Sequence, residues 1–589
     1  MARLRRPESF DDVRAEGLFR ATTAPQILAK RGAIFLQGLP GLLGAGGFRP
    51  EKIPTKQEVL AAGASIFEST SRAEGVDVFL SHRWGSARWA KYLALCLYLN
   101  LTAAQLCSMA TWVLATTGMI ASAGGAAKLG GNLLLMPILV YVPMAVFFVV
   151  FFFGQHVVHH FKPTSMWVDR ACIHQTDHNF KERQIRALPV FVARSSSMLV
   201  LWDDDYFQRL WCQLELATFA KHGGAEKVHF LPLWLAPWLL SALLLDLLVA
   251  TSWYILAHVA PLDLFTSTPT FSAILGSAFG PLVTVGIFNL LFGTILGVLA
   301  SIPWTVTCRA KLRSHALLLD QMASFDCRAA QCTVEADRAL VNQQIQQLFG
   351  SRDEKEVVVL ATSSTVTENV HSPSPSDRVE AAYLPWTTQD SMVYTQTDEQ
   401  ALDAFNSYIR GPLRFAVMES VGDQLHVPYR MCLVASLPMI FYSSTDILQC
   451  DAECISHNGF QSFESYVLPV VLGWLATILL ILPVFYPVFL RMLKCASSFQ
   501  TESLQLILAG LSGIVTFSYG YFIVGLVFGL VDVSFQQGVI GLIPLLVLLI
   551  ILFMQLRCLF GTGPRAGATR RASVDSTYRA LCAADDLSI

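Results

Sequence analysis

The chain has 589 residues, of which 53% are hydrophobic and only 15% are charged, and its mean hydropathy is +0.48. Soluble domains carry roughly 25% charged residues, so this composition excludes an ordinary soluble protein. It predicts a multi-pass membrane protein with polar segments attached. The formal net charge of −2 argues against a nucleic-acid partner, because proteins that bind nucleic acid usually carry a basic patch or stripe.

A polar segment at residues 1–75 precedes the first predicted strand, VDVFLSHRW at 76–84. This strand is apolar on both faces and ends in a polar turn, which is typical of a buried parallel strand. A helix, SARWAKYLALCLYL, follows it. The chain then contains two apolar segments, at about 95–120 and 132–154, which predict a transmembrane hairpin over residues 92–155.

Strands and helices alternate after this hairpin. The predicted strands are MWVD at 166–169, SMLVLW at 197–202 and VHFLPLW at 228–234. The helical stretches KERQIRALPVFVARS and FQRLWCQLELATFAKHG lie between them. This alternation predicts a parallel sheet with right-handed crossovers, and ligands bind at the carboxyl ends of the strands in such sheets.

The order of these motifs resembles a TIR domain. TIR domains open with a strand like DVFLS, have a second strand that ends in aspartate, and carry a Trp-Cys-x-x-Glu-Leu helix. This chain has Asp77–Ser81, Trp167–Asp169 and Trp211–Leu216 in the same order. The run WVDRACIHQ followed by KERQI is also similar to the fungal heterokaryon-incompatibility domain. The match covers residues 76–91 and 166–234, and it implies an α/β domain with a flavodoxin-like parallel sheet.

Two features depart from the TIR pattern. The transmembrane hairpin separates the first two strands, where TIR domains have a single helix, so the resemblance implies a split domain. The chain also enters the membrane directly after HFLPLW, so the usual last strand and helix are missing. EVVVLAT at 356–362 is a candidate for that last strand.

Many TIR domains cleave NAD at the nicotinamide–ribose bond, so the resemblance implies NAD as a substrate and no tightly bound cofactor. The family's catalytic glutamate maps onto Glu215, whose carboxylate would stabilise an oxocarbenium-like transition state. Arg83 would pair with a phosphate and Trp84 would stack on a base. The candidate cofactor-binding residues are Ser81, His82, Arg83, Trp84, Asp169 and Trp211.

These candidates also have structural interpretations. A glutamate in the first turn of a helix interacts favourably with the helix dipole, which is an equally good account of Glu215. An ion pair with a surface acid is the alternative for Arg83, and core packing is the alternative for Trp211. Many TIR domains are adaptors that self-associate and catalyse no reaction. The alternative function is therefore a non-enzymatic adaptor, whose partners would be further copies of this chain or other TIR-like domains.

Six further apolar segments raise the predicted number of membrane spans to about eight. They form a pair within 235–303 and four segments within 430–556, and their bounds are about 235–258, 272–303, 430–447, 467–490, 504–531 and 538–556. The segment at 430–447 is short and polar at its end, so a re-entrant loop is the alternative to a full span. Lys and Arg concentrate on one side of this topology, which predicts that both termini lie on the cytoplasmic side of the membrane. The sequence does not indicate which cellular membrane this is.

Asp246 lies in the middle of a predicted span, where a carboxylate is energetically costly and by default indicates a function. Asn289, in the next span, is a candidate hydrogen-bond partner. Together they motivate the rival class, a channel or transporter with a regulatory TIR-like domain. Two pairs of small residues predict close helix packing or dimerisation; these pairs are Gly293/Gly297 and Gly525/Gly529.

The polar regions beyond the sheet carry weaker signals. Residues 304–429 are predicted to form a cytoplasmic helical region with a linker at 362–377, and residues 557–589 a disordered tail in which Ser573 resembles a basophilic-kinase site. Cys450 and Cys454 lie on the predicted outer face, where a disulfide and two free thiols are both open. The thirteen cysteines form no zinc-binding pattern, so we expect no metal site.

Overall fold

The computed structural model describes residues 10–36, 56–161, 163–259, 269–332, 335–349, 394–422 and 424–561. The candidate strand at 356–362, the linker at 362–377 and Ser573 lie outside these residues. The chain divides into two compact units. The first comprises Met1–Leu99, Gln155–Leu233 and Arg313–Val421, and the second comprises Asn100–Gly154, Trp234–Leu312 and Gly422–Ile589.

Helices dominate the described chain, and six strands form one sheet. The strands are β1 (Arg20–Thr23), β2 (Ser71–Arg72), β3 (Val76–His82), β4 (Ser165–Trp167), β5 (Ser195–Trp202) and β6 (Val228–Pro232). The helices are α1 (Phe10–Ala15), α2 (Ala24–Gly32), α3 (Lys56–Glu68), α4 (Arg88–Ala123), α5 (Val142–Phe161), α6 (Asp169–Cys172), α7 (His178–Arg186), α8 (Leu188–Ala193), α9 (Leu210–Gly223), α10 (Leu235–Val259), α11 (Pro269–Ala323), α12 (Arg338–Phe349), α13 (Tyr394–Tyr408), α14 (Arg414–Val421), α15 (Tyr429–Ala435), α16 (Leu437–Gln449), α17 (Ala452–His457), α18 (Phe463–Ala476), α19 (Leu482–Ala496), α20 (Glu502–Gln537) and α21 (Val539–Phe560).

The sheet lies in the first unit and has the order β2-β1-β4-β3-β5-β6. The four predicted strands, β3 to β6, are confirmed as parallel neighbours. Taken in chain order they are arranged 2-1-3-4, as in the first four strands of a flavodoxin-like sheet. Consecutive residues of β3 are buried, and Phe79 stacks on Trp167 of β4 with ring centroids 4.4 Å apart. Both faces of the sheet are therefore covered, which explains the continuous apolar run of β3.

The sheet is mixed, which the sequence did not predict. The segment 1–75 contributes β1, which pairs antiparallel with both β2 and β4. Arg20 at the start of β1 donates from its guanidinium to the carbonyl oxygens of Phe67 and Thr70, at 3.1 and 2.6 Å. A four-residue strand is too short to produce a clear periodicity, so tertiary pairing rather than local pattern creates this edge of the sheet.

The predicted boundary between the transmembrane pair and the polar helical region, at 303/304, falls inside a helix. α11 is a single helix of 55 residues that runs through it. The described residues between 313 and 421 belong to the same unit as the sheet. Asp204, after β5, accepts hydrogen bonds from Ser314 and, at its backbone oxygen, from Gln321 at 2.5 Å. An amphipathic helix needs an apolar partner, and the sequence does not specify which surface provides it.

Within the described ranges, seven helical segments are long and apolar enough to cross a membrane, and the count rises to eight if one bent pair forms a single span. They are Arg88–Ala123, Pro137–Val158, Leu235–Leu256, Val285–Ala323, Phe463–Ala496, Glu502–Gln537 and Val539–Phe560. The bent pair, α15 and α16, turns by 54°. Each predicted apolar segment coincides with one of these helices, and the uncertain segment 430–447 coincides with the bent pair. Pro438, the second residue of α16, has no N–H to donate to the preceding turn, which explains the break between α15 and α16.

Candidate active site in a cleft at the carboxyl edge of the sheet

A cleft of about 150 Å³ lies in the first unit where β3 and β4 end. It is the type of position at which open α/β sheets bind ligands. Six of the seven predicted site residues line it together. They are Glu215, His82, Arg83, Trp84, Asp169 and Trp211. Residues from distant parts of the sequence therefore share one cavity.

Glu215 is the sixth residue of α9, so it lies beyond the first turn. The helix-dipole account of Glu215 is therefore wrong, because that effect falls off within the first turn. The pKa of Glu215 is raised to about 8, mainly by burial. The hydrogen bond from Ser81 lowers this pKa, whereas the nearby charge of Asp169 raises it. The carboxyl group of Glu215 is therefore mostly protonated at neutral pH.

Ser81 occupies a different place from the one predicted. Its side chain is fully buried, so it does not line the cleft as a cofactor-binding residue would. Its Oγ lies 2.6 Å from Oε2 of Glu215 and donates a hydrogen bond to it. Ser81 contacts the candidate catalytic residue instead of the cleft, because inward-facing positions of a strand covered on both sides are buried.

Asp169 and Trp84 also line the cleft. The indole N–H of Trp84 donates to Oδ2 of Asp169. The guanidinium of Arg170 lies 5.5 Å from the centre of the Trp84 ring. Burial raises the pKa of Asp169, and the hydrogen bonds from Trp84 and from the backbone N–H of Arg170 lower it. Trp84 is 39% exposed, so one aromatic surface is held in place and open to a ligand.

Arg83 is paired with acids, as its structural interpretation predicted. Its guanidinium contacts Asp203 at 2.8 Å and Asp205 at 3.2 Å. Ser86 donates a further hydrogen bond of 2.7 Å to Asp203. A planar guanidinium that is held by two carboxylates has little remaining charge for a phosphate.

The ion pair between Arg83 and Asp203 should couple strongly. In a double-mutant cycle of Arg83→Ala and Asp203→Ala, we expect a coupling of about 1–2 kcal/mol, because both side chains are less than one-fifth exposed and the pair is multiply hydrogen-bonded. Thermal unfolding of the full-length protein in detergent measures it. The control is Arg186 and Glu182, a more exposed i,i+4 pair expected to give about 0.3–0.5 kcal/mol. Equal couplings would contradict the prediction.

The remaining reactive groups of the cleft are in their neutral forms. Burial, with the nearby charges of Lys91 and Arg170, lowers the pKa of His82 well below its ordinary value. Burial raises the pKa of Cys212 well above its ordinary value. A neutral imidazole and a protonated thiol leave the carboxyl groups of the cleft, Glu215 and Asp169 among them, as the groups suited to stabilising positive charge.

One wall of the cleft was not predicted from the sequence. Gln331 and Asp337, from the segment that follows α11, line the cleft together with Lys181 and Arg209. Backbone hydrogen bonds connect Gln331 N to Gln208 O (3.0 Å) and Leu210 N to Gln331 O (3.1 Å), which satisfies an otherwise unpaired N–H at the start of α9. No local pattern in the sequence signals this pairing.

The predicted membrane polar residues lie in the second unit and do not form a pair in the described structure. Asp246 hydrogen-bonds with Ser436, at the junction of the bent pair. Asn289 donates to the carbonyl of Val285 in its own helix, at 2.9 Å, and packs against Gly525. The candidate partnership of Asp246 and Asn289 is therefore wrong, because Asn289 satisfies its amide within its own helix.

Cys450 and Cys454 are joined by a disulfide, which is one of the two alternatives left open by the sequence. Among the described residues, no group of three or more His, Cys, Asp and Glu side chains could hold a metal ion. Comparison of the chain with models of protein families, with curated proteins and with solved structures finds no match.

Proposed function

We propose that this chain is a multi-pass membrane protein that presents a TIR-like domain to the cytoplasm, and that this domain cleaves NAD at the nicotinamide–ribose bond. The single observation that carries the proposal is the position of Glu215, in one cleft with Trp84, Asp169 and Trp211. The distribution of Lys and Arg along the sequence supports the cytoplasmic placement of this domain and of both termini.

The chemistry of the cleft matches a cationic aromatic substrate. The nicotinamide ring of NAD carries a positive charge, and aromatic faces and carboxylates both attract such a ring. When the C–N bond breaks, its electron pair leaves with nicotinamide, which departs as a neutral molecule without needing a proton. The positive charge passes to the ribose, where ionised Glu215 stabilises it. Water then adds to the ribose, giving ADP-ribose and releasing one proton.

The size and charge of the cleft suggest how NAD would lie. A cavity of about 150 Å³ is smaller than the roughly 300–1,000 Å³ of pockets for drug-sized ligands. We therefore assign the cavity to the ribose and nicotinamide, with the rest of the dinucleotide beyond it. Lys181 also lines the cleft, and it replaces Arg83 as the candidate for the diphosphate because Arg83 is engaged by Asp203 and Asp205.

The proposal is tested by incubating the full-length protein with NAD, in detergent and at high density in proteoliposomes. Nicotinamide and ADP-ribose are then separated and quantified by chromatography. We expect both products in equal amounts, at a rate proportional to protein. If neither product forms at any density, the enzyme proposal fails, and the remaining interpretation is a non-enzymatic adaptor that acts by self-association.

The pH dependence of this reaction should have a definite sign. Because burial raises the pKa of Glu215 to about 8 and the reaction needs the ionised form, kcat/KM should rise about tenfold per pH unit below pH 8 and level off above it. The midpoint of the pH profile of kcat should lie at lower pH than that of kcat/KM, because the positive charge of a bound nicotinamide ring favours the ionised form of Glu215. Initial rates of nicotinamide release from pH 5.5 to 9.5 measure both profiles. A flat or falling profile between pH 6 and 8 would contradict this assignment.

A further inference from the structure

We infer that Ser81 and Tyr206 are positioning residues, which hold the carboxyl group of Glu215 through a relay of two hydrogen bonds. Oγ of Ser81 lies 2.6 Å from Oε2 of Glu215 and 2.7 Å from the hydroxyl oxygen of Tyr206. Ser81 and Tyr206 are both fully buried. The use of the relay in catalysis rests on the proposed function, whereas its existence can be tested without turnover.

The directions of the two hydrogen bonds follow from counting hydrogens. A serine hydroxyl has one hydrogen to donate and can also accept. When Ser81 donates to ionised Glu215, the hydrogen between Ser81 and Tyr206 must come from Tyr206. Burial raises the pKa of Tyr206 well above its ordinary value, so the phenol keeps this hydrogen. The relay is therefore complete without water.

The relay determines how the carboxyl group meets the cleft. The terminal torsion of a glutamate is broad and roughly two-fold, so an unsupported carboxyl group would rotate. Glu215 lines the cleft while one of its oxygens is held by the buried end of β3. A group that is fixed before the substrate arrives needs no reorganisation when charge develops, which is the basis of electrostatic catalysis.

Other ionisable groups also surround Glu215, and the test must separate them from Ser81. Asp169 follows β4, His82 ends β3, Arg209 precedes α9 and Cys212 lies within it, and all four line the cleft. Asp169 opposes the ionisation of Glu215 through its charge, whereas the hydrogen bond from Ser81 favours it. Removing the Ser81 hydroxyl should therefore raise the pH at which Glu215 ionises, without changing the other groups.

The experiment compares Ser81→Ala and Tyr206→Phe with the wild type. In Ser81→Ala the midpoint of the pH profile of nicotinamide release should move up by about one pH unit, since a hydrogen bond to a charged group is lost. Tyr206→Phe keeps the ring and should give a smaller shift in the same direction. Ser195→Ala is the matched control, because Ser195 is also buried but donates to Phe191 O, at 2.7 Å, at the opposite end of the parallel strands.

A second readout does not need turnover. Carbodiimides modify protonated carboxyl groups, so mass spectrometry of the labelled full-length protein gives the pH at which Glu215 loses its proton. Labelling of Glu215 should persist to higher pH in Ser81→Ala than in the wild type and in Ser195→Ala. This shift supports the relay even if NAD is not cleaved. If Ser81→Ala folds and neither the labelling midpoint nor the rate midpoint moves, the relay is overturned, whether or not NAD is cleaved.

Discussion

Glu215→Gln is expected to reduce nicotinamide release by about a thousandfold, with KM for NAD changed much less. Glutamine has the shape of glutamate and can still accept the hydrogen bond from Ser81, so the cleft keeps its form. It lacks the negative charge that would stabilise the oxocarbenium-like state, and removing one such electrostatic group costs roughly 10²–10³ in kcat. Initial rates at pH 8.5, where the wild-type carboxyl group is mostly ionised, give the clearest comparison.

Two controls separate this loss from unfolding. Glu226→Gln makes the same change at an exposed position of the same unit and should retain full activity. Heat stability has an expected sign, because the pKa of Glu215 is raised from 4.5 to about 8. Its contribution to stability is fully present below pH 4.5 and is lost as the pH rises to 8. Glu215→Gln should therefore become progressively more heat-stable than the wild type over this range, by at most about 5 kcal/mol.

A high residual activity of Glu215→Gln would contradict this prediction. A Glu215→Gln protein that keeps more than about one-tenth of the wild-type kcat would show that the charge of Glu215 is not the main stabilising group. Asp169 and Asp337, the other carboxyl groups that line the cleft, would then be the candidates. If none of the three single substitutions changes the rate, any observed cleavage of NAD does not depend on a carboxylate of this cleft.

Gly297→Leu is expected to destabilise the second unit by about 3 kcal/mol or more. A Cβ at Gly297 would lie 2.6 Å from Cα of Ile514 and 3.1 Å from the carbonyl oxygen of Gly513, both in α20. These are backbone atoms, so they cannot turn aside as a flexible side chain would. α11 and α20 would have to separate, which removes the close contact that small residues allow. The measurement is the fraction of full-length protein that stays monodisperse in detergent after stepwise heating.

Gly510→Leu provides the matched control for this prediction. Gly510 is also in a long apolar helix, α20, but a Cβ there would meet nothing within 4 Å. Leucine is a better helix former than glycine, so this variant should be as stable as the wild type or slightly more so. Equal destabilisation of the two variants would mean that helix propensity or insertion, rather than the contact of α11 with α20, explains the effect.

The two pairs of small residues show what a local pattern can and cannot predict. Gly293 and Gly297 pack against α20, as a small-xxx-small motif predicts, and Gly525 and Gly529 face Asn289 and Leu282 of α11. The motif indicates that a helix approaches closely at that face. It does not identify the partner, because a helix of the same chain and a second copy of the chain present the same kind of surface.

The candidate site shows the same division. The cluster of Glu215, Trp84, Asp169 and Trp211 in one cleft could be predicted, because the carboxyl ends of neighbouring parallel strands meet at one edge. The contact of Ser81 with Glu215 and the particular acids that pair with Arg83 could not be predicted. Ser81 lies at a buried position of β3, and Arg83 meets two aspartates from the loop after β5. Both outcomes depend on distances between segments that are far apart in the chain.

The sequence by itself determined the apolar segments, the four parallel strands and the residues that end them. These follow from composition and from short-range periodicity, which the solvent preference of each side chain enforces locally. Only the tertiary structure decided that β1 completes the sheet, that Gln331 closes one wall of the cleft and that Asp246 meets Ser436 rather than Asn289. The physical reason is that hydrogen bonds and burial between distant segments depend on which surfaces meet, and residue spacing along the chain does not encode that choice.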